Sequence, residues 1–259
     1  MKKWHELGKE LRRYINPETF PVAVRILKDK NEIPGGTRTP LKDLKVKIAH
    51  CQAQAIARRY GWTIAMTYED LGCGISGHTY GWEPADQDGA IDFMTKMNYA
   101  ADRKAALSIL QSHNTLKPGE CQAVVYSPLE WTKIKPDVIL IYLNPAQLMR
   151  CIHGSTQHTG QPIISSFSGR AASCSEGVLG ALLDQSPKVV IPGNGDRVWG
   201  TTQDHEMAYA LPASHLKYLV EGLAQTHRRG IRYPIPSFLR YQPEVQLSIP
   251  LTDIFKPKP

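Results

Sequence analysis

The stretch VILIYLNPAQLMRCIHGSTQHTG, residues 138–160, decides the fold class. Val138 to Leu143 is an unbroken apolar run of strand length. Asn144-Pro145 is a helix start, with Asn as the N-cap and Pro in the first turn. The helix is expected to run to about His158 and to stop at Gly160. A strand joined to a helix by one capping residue is the unit from which α/β folds are built.

The same grammar extends in both directions. Downstream, Pro162 to Ser166 predicts a strand, and Ser168 to Cys174 a loop leading into a helix that ends near Leu183. Val189 to Ile191 and Met207 to Leu211 predict two more strands, separated by a tight loop at Gly193 to Arg197. Ser214 is expected to cap a final helix that stops at Gly230. Upstream, Trp4 to Tyr14 reads as a helix and Val22 to Leu27 as a strand. Thr39-Pro40 is expected to open one long helix reaching Gly61, its apolar face carrying Leu41, Leu44, Ile48, Cys51 and Ala55. Trp62 to Thr67 predicts a strand, Leu71 to His78 a small-residue loop, and Asp86 to Gln111 a helix broken near Ala100. Val124 to Ser127 predicts a further strand.

The expected fold is therefore α/β, a mixed sheet with flanking helices. Residues 1–230 are expected to form one domain, and residues 231–259 a proline-rich extended tail. Helix, glycine, strand and small-residue loop recur with Cys51 and Cys73 in the first half and with Cys151 and Cys174 in the second, at nearly equal spacing. The recurrence suggests two related halves, residues 17–128 and 129–230, from an internal duplication.

Composition narrows the function classes. With 259 residues, 42% hydrophobic and 21% charged, the chain can bury a core without disulfides or a structural metal. Its lysine-bearing start has no apolar run behind it, and no stretch of about 18 apolar residues occurs, so a cytoplasmic protein is expected. The five cysteines, odd in number and widely spaced, do not read as a disulfide framework. The net charge of +7 is dispersed. It favours a small anionic ligand over nucleic acid, for which no basic stripe with interleaved aromatics is present. No membrane partner is expected, and self-association into a homo-oligomer is left open.

Three small-residue loops are the candidate chemistry. Gly72-Cys73-Gly74 leaves its sulfur accessible, or else packs a small residue at a turn. Cys174 falls where a helix should begin, with Arg170 nearby, and both features would lower a thiol's pKa. Gly193-Asn194-Gly195-Asp196-Arg197 can present N–H groups to an anion, or can be an ordinary turn closed by Asp196 and Arg197. It lacks the Lys-Ser/Thr ending of a phosphate-binding loop. Cys151 and Cys121 read as packing residues, and Cys51 as packing or a ligand on its helix face. There is no C-x-x-C pair and no G-x-S-x-G elbow, so any metal site must be assembled in space, and a hydrolase triad is not indicated.

Pro21 to Arg25, the helix around Cys51 ending Ala57-Arg58-Arg59-Tyr60-Gly61, and the Cys73 loop together resemble the ArCR-type family, domain of unknown function 169. So do Asn144 to Gln147, Ser168-Gly169-Arg170, Cys174 and Pro192 to Arg197. The likeness spans Trp4 to Pro236, with the second-half motifs the more specific. It implies a cytosolic protein of a kind found in archaea and anaerobic bacteria. Its cysteine pattern matches Cys51, Cys73 and Cys174, and leaves Cys121 and Cys151 particular to this chain. Three matched cysteines imply an oxygen-sensitive metallocofactor.

The leading expectation is thus an iron–sulfur cluster, of 4Fe–4S type, held by Cys51, Cys73 and Cys174 with one position open, in anaerobic redox or small-molecule metabolism. One rival is a metal-free thiolate enzyme with Cys174 as nucleophile. In that rival Arg170, Asn194 and Arg197 bind the anionic substrate. A non-catalytic module that holds an anion in its glycine loops is the other.

Overall fold

The computed structural model describes residues 1–82 and 86–235. The expected tail beyond Ile235 lies outside them.

Six strands form one sheet in the order β2-β3-β1-β4-β6-β5, with β1 at Val22–Leu27, β2 at Ile64–Thr67 and β3 at Ala123–Pro128. β4 is Val138–Leu143, β5 Lys188–Val190 and β6 Met207–Pro212. The expected α/β class, a sheet flanked by helices, is what the chain adopts. All five strand ladders are antiparallel, and among the described residues parallel pairing is confined to two isolated bridges, Arg38 with Ile64 and Ile48 with Leu71. The central strands are buried on both faces. Val138, Leu140 and Tyr142 of β4 point into one core and Ile139, Ile141 and Leu143 into the other, as the two-residue side-chain period requires.

The helices sort to these two faces. α1 (Lys2–Ile15), α6 (Pro145–Thr159) and α9 (Leu216–Arg228) cover one, meeting Ile139, Ile141, Tyr209 and Leu211. α2 (His50–Tyr60), α3 (Gly74–Thr79), α7 (Gly180–Asp184) and α8 (Asn194–Val198) lie with the functional loops on the other side of the chain's layout, where Ala53 and Ala57 of α2 pack on Val22, Val24 and Leu140. α4 (Gln87–Lys96) and α5 (Arg103–Gln111) form a small satellite pair around Ile91, Met94 and Ala106, which bears out the break expected near Ala100.

Several elements follow the sequence reading closely. The Asn144 side chain accepts from Gln147 N at 2.9 Å, the Gln147 side chain answers Asn144 N at 2.9 Å, and Gly160 ends α6 in the left-handed region at φ 64°. Among the described residues no helix is long and apolar enough to cross a membrane.

Two expectations are corrected. The long helix from Pro40 does not form. A short π-turn, Pro40–Leu44, ends at Lys45 with φ 61°, and α2 starts afresh at His50. Asp43 and Asp70 cap the start of this turn, accepting from Thr39 N and Leu41 N, and Ile48 is drawn out of helix by its bridge with Leu71, donating to Asp70 O and accepting from Gly72 N. Residues 162–166 form no strand. Val189 N, which would have paired with them, donates to the Ser165 side chain at 2.8 Å, and Pro162 has no N–H to offer.

Duplication is not shown. Each proposed half contributes three strands in the same order outward from the β1–β4 seam. A two-fold axis exchanging antiparallel neighbours within one sheet stands perpendicular to it and keeps each face on its own side. α2 and α6, the helices that would correspond, pack on opposite faces.

Candidate cysteine site

The breaking of the Pro40 helix moves Cys51 from mid-helix to the second residue of α2. Cys73 is the residue that caps α3, and Cys174 is the third residue of a π-helix, Ala172–Leu179, that continues into α7. All three cysteines thus stand at helix starts on the same side of the sheet. The π-helix is entered through Ala171 at φ 47°, a left-handed residue that turns the chain sharply before Cys174.

The fold brings the three cysteine-bearing segments side by side. Cys51 Sγ donates to Gly195 O at 3.6 Å, Ser173 beside Cys174 donates to Asp196 of the same α8, and Gly72 N donates to Ile48 O at 2.8 Å, which holds the Cys73 loop against the start of α2. All five cysteines are free thiols. Burial, then the neighbouring Asp196 and Cys73, push the Cys51 thiol up to about 12. Cys174 is driven well above the usual thiol range, by burial first and then by Asp196, Cys51 and Cys73. The expected lowering of the Cys174 pKa is therefore overturned. Desolvation and three acidic neighbours outweigh the helix start, and Arg170 is turned elsewhere. Among the described residues, no three His, Cys, Asp or Glu side chains close tightly enough to hold a single metal ion.

Asp196 is the site residue that the sequence reading passed over. The tight loop expected at Gly193–Arg197 is instead the start of α8, in which Asp196 is 5% exposed. Its Oδ1 accepts from Ser173 Oγ at 2.5 Å and its Oδ2 from Gly193 N at 2.9 Å, so it ties α8 to the residue before Cys174. Burial raises its pKa, against the pull of the Ser173 and Gly193 hydrogen bonds and, least of all, Arg197. The signal was an Asp three residues into a helix after glycine, a capping position that was read as a turn.

The three expected anion-binding residues are not gathered on the sulfurs. Arg170 lies over the Tyr99 ring, 4.4 Å from its centroid, and donates to Tyr99 O at 2.5 Å. Arg197 donates to Gln203 O at 2.6 Å, and Asn194 is exposed at the first residue of α8. Cys121 and Cys151 pack in the core as expected, at 4% and 0% exposure.

Beneath the sulfurs lies a buried polar floor. His50 Nδ1 and Tyr126 Oη are 2.7 Å apart, Tyr126 and Tyr80 hydroxyls 3.2 Å, and Tyr142 Oη donates to Gln54 Oε1 at 3.0 Å. His50 stacks on Tyr80 with centroids 4.3 Å apart, and its burial lowers its pKa to about 3, so the ring is neutral. Arg58 sits over Tyr142 at 4.0 Å and grips Glu206 through both terminal nitrogens, at 2.5 and 3.0 Å. That pair anchors the loop leading back from α8, whose Gly200 rests against Cys51.

Gly200 is glycine because of this contact. A Cβ there would lie 2.7 Å from Asp196 O and 3.1 Å from both Cys51 Cβ and Cys51 O. Gly200→Ala is expected to destabilise the fold by about 1–3 kcal/mol through overpacking, read as a lowered urea midpoint, and to quicken alkylation of Cys51. An unchanged midpoint would mean that the loop can move off Cys51 freely.

A family profile described as uncharacterised ArCR, domain of unknown function 169, matches residues 10–222. The chain belongs to that family. The match takes in every element that builds the cysteine site, from α2 through the Gly200 loop. An uncharacterised protein of Methanocaldococcus jannaschii is 26% identical over 204 residues, covering 78% of this chain and 85% of the relative. No solved structure matches the chain. Family membership carries no assigned activity, so the site's chemistry must be argued from its own residues.

Proposed function

We propose that the chain is a metallocofactor protein of the cytoplasm, holding an iron–sulfur cluster through Cys51, Cys73 and Cys174 and presenting an open iron position to a small anionic molecule. The observation that carries this reading is the convergence of three cysteines from distant stretches, each at the start of a separate helix, around one spot. Four acidic groups, these thiols and Asp196, share that spot. Burial, with Asp196 beside them, holds the Cys51 and Cys174 thiols above the usual thiol range, and burial raises the Asp196 carboxyl. A metal centre supplies the positive charge that would let the thiols ionise. A single zinc ion fits poorly, since the donors do not close to tetrahedral contact. Cysteine thiolates are the ligands that iron–sulfur clusters take.

The chain's own groups have distinct parts in this reading. Both oxygens of Asp196 are committed to Ser173 and Gly193, so it serves as an anchor and leaves the fourth position open. Cys73 is the most accessible of the three thiols and marks the open side. His50, Tyr80 and Tyr126 close the floor against water. When bound, a cluster of this kind supplies redox or Lewis-acid chemistry to a small molecule at its open iron.

Anaerobic purification followed by absorption spectroscopy and iron analysis tests the proposal. A brown protein with about four irons per chain is expected. Colourless, iron-free protein would refute it. The metal-free thiol enzyme is disfavoured by the high pKa and burial of Cys174. Its signature would be rapid alkylation of Cys174 at neutral pH.

A further inference from the structure

One wall beside the cysteines holds basic groups that the reading above does not use. The segment after α5 runs between α3 and the π-helix. Leu116 N donates to Thr79 O at 2.9 Å, Asn114 N to Ser175 Oγ at 2.8 Å and Asn114 Nδ2 to Ser175 O at 3.1 Å. These bonds hold His113 beside α3, which carries His78, and beside the turn that carries Arg170. Burial first, then the neighbouring His78 and Arg170, hold the His113 pKa below the ordinary imidazole value.

His113 is 8% exposed, and neither ring nitrogen has a hydrogen-bond partner among the described residues. Burying a polar ring unsatisfied costs about 1–3 kcal/mol, which invites a partner. Arg170 is held in place by Tyr99, yet its Nε is buried and unpartnered. The nearby carboxylate, Glu176, spends Oε1 on Ser168 N, Ser168 Oγ and Gly169 N, which fixes the turn below Arg170; its Oε2 makes no bond. Imidazole and guanidinium donors are left unbonded here, as is Glu176 Oε2.

We propose that His113, Arg170 and His78 form a binding site for a small oxyanion next to the three cysteines. The proposal rests on the cluster reading only in making this anion the molecule presented to the open position. An oxyanion fits because it accepts from several donors at once, and charge-assisted bonds are about twice as strong as neutral ones. Carboxylate and phosphate share this chemistry.

Calorimetric titration of the anaerobically purified chain with inorganic phosphate, and separately with acetate, tests the site. At least one of the two is expected to bind. His113→Ala and Arg170→Met are each expected to weaken that binding by about tenfold or more, the worth of one charge-assisted hydrogen bond. Iron content is expected to stay at the wild-type level in both. His113→Gln keeps a polar side chain of similar size, and should weaken binding even if the alanine variant folds poorly. No heat from either anion would overturn the proposal. So would undiminished binding in His113→Gln and Arg170→Met, which would place the anion elsewhere or show that His113 pairs with Glu176. Iron-free protein that binds an anion through His113 would defeat the cluster reading and support this site. Iron-loaded protein that ignores both anions would do the reverse.

Discussion

Replacing Cys174 by serine is expected to strip the anaerobically purified chain of its iron, lowering metal content by at least about tenfold while the fold persists. Loss of a supporting residue around a metal already costs about 10–100-fold in affinity, and loss of a ligand should cost no less. Serine is close to cysteine in size, and Ser173 and Ser175 are buried on either side of it, so the π-helix has room for another hydroxyl. The same loss is expected for Cys51→Ser and Cys73→Ser. Cys121→Ala and Cys151→Ala are the controls, since both thiols pack away from the site and should leave the iron in place. Wild-type iron content in Cys174→Ser would exclude that residue as a ligand. Equal losses in all five variants would point to general misfolding.

The second large effect concerns stability. Arg58→Ala is expected to destabilise the chain by up to about 3–5 kcal/mol, because it leaves the buried Glu206 carboxylate with only the longer Arg59 contact, at 3.3 Å, and Gln203 N. Arg58 and Glu206 side chains are 0% and 4% exposed, so water offers little compensation. Denaturant unfolding would measure it, and a loss below about 1 kcal/mol would show that the pair relaxes to solvent when broken. Replacing both residues, Arg58→Met with Glu206→Leu, should recover most of the loss.

The same pair predicts a pH dependence. Burial alone would raise the Glu206 carboxyl, but hydrogen bonds from Arg58 and Gln203 N, with the charges of Arg58 and Arg59, hold it below its ordinary value of 4.5. A depressed folded pKa contributes stability that is present above the unfolded value and is lost as pH falls through the folded one. The wild type should therefore weaken below about pH 4.5 more steeply than the double variant, seen as a larger fall in urea midpoint between pH 5 and pH 3.

Much of this architecture was legible in the chain itself. The Asn144-Pro145 start and the Gly160 stop of α6 were legible because cap, first turn and terminus are local, and each residue acts on its own neighbours. The Pro40 helix was misread because its periodicity was real while the forces that break it are not local. Ile48 pairs with Leu71, donating to Asp70 O and accepting from Gly72 N. That error hid the most useful fact about Cys51, its place at a helix start. Residues 162–166 failed as a strand for a similar reason, a side chain having taken the partner's N–H. The three cysteines were found from loop chemistry and the family pattern. Asp196 was missed because a capping aspartate and a turn aspartate look alike until the helix behind them is known. Arg170, Asn194 and Arg197 are expected to bind an anion because their loops read as one site, yet the two arginine side chains turn to Tyr99 and Gln203 and Asn194 is exposed.

The scattered origin of the cysteine site has a consequence for how the protein is made. Cys51 leaves the ribosome early, but the surface that seals it, Gly195 O against its thiol and Gly200 against its backbone, lies far downstream. Contacts of such long range form late, after the entropy of closing a large loop has been overcome. A chain made only as far as α3 therefore carries a Cys51 thiol that its own fold does not yet cover. That cover comes only once the α8 segment and Gly200 have been made.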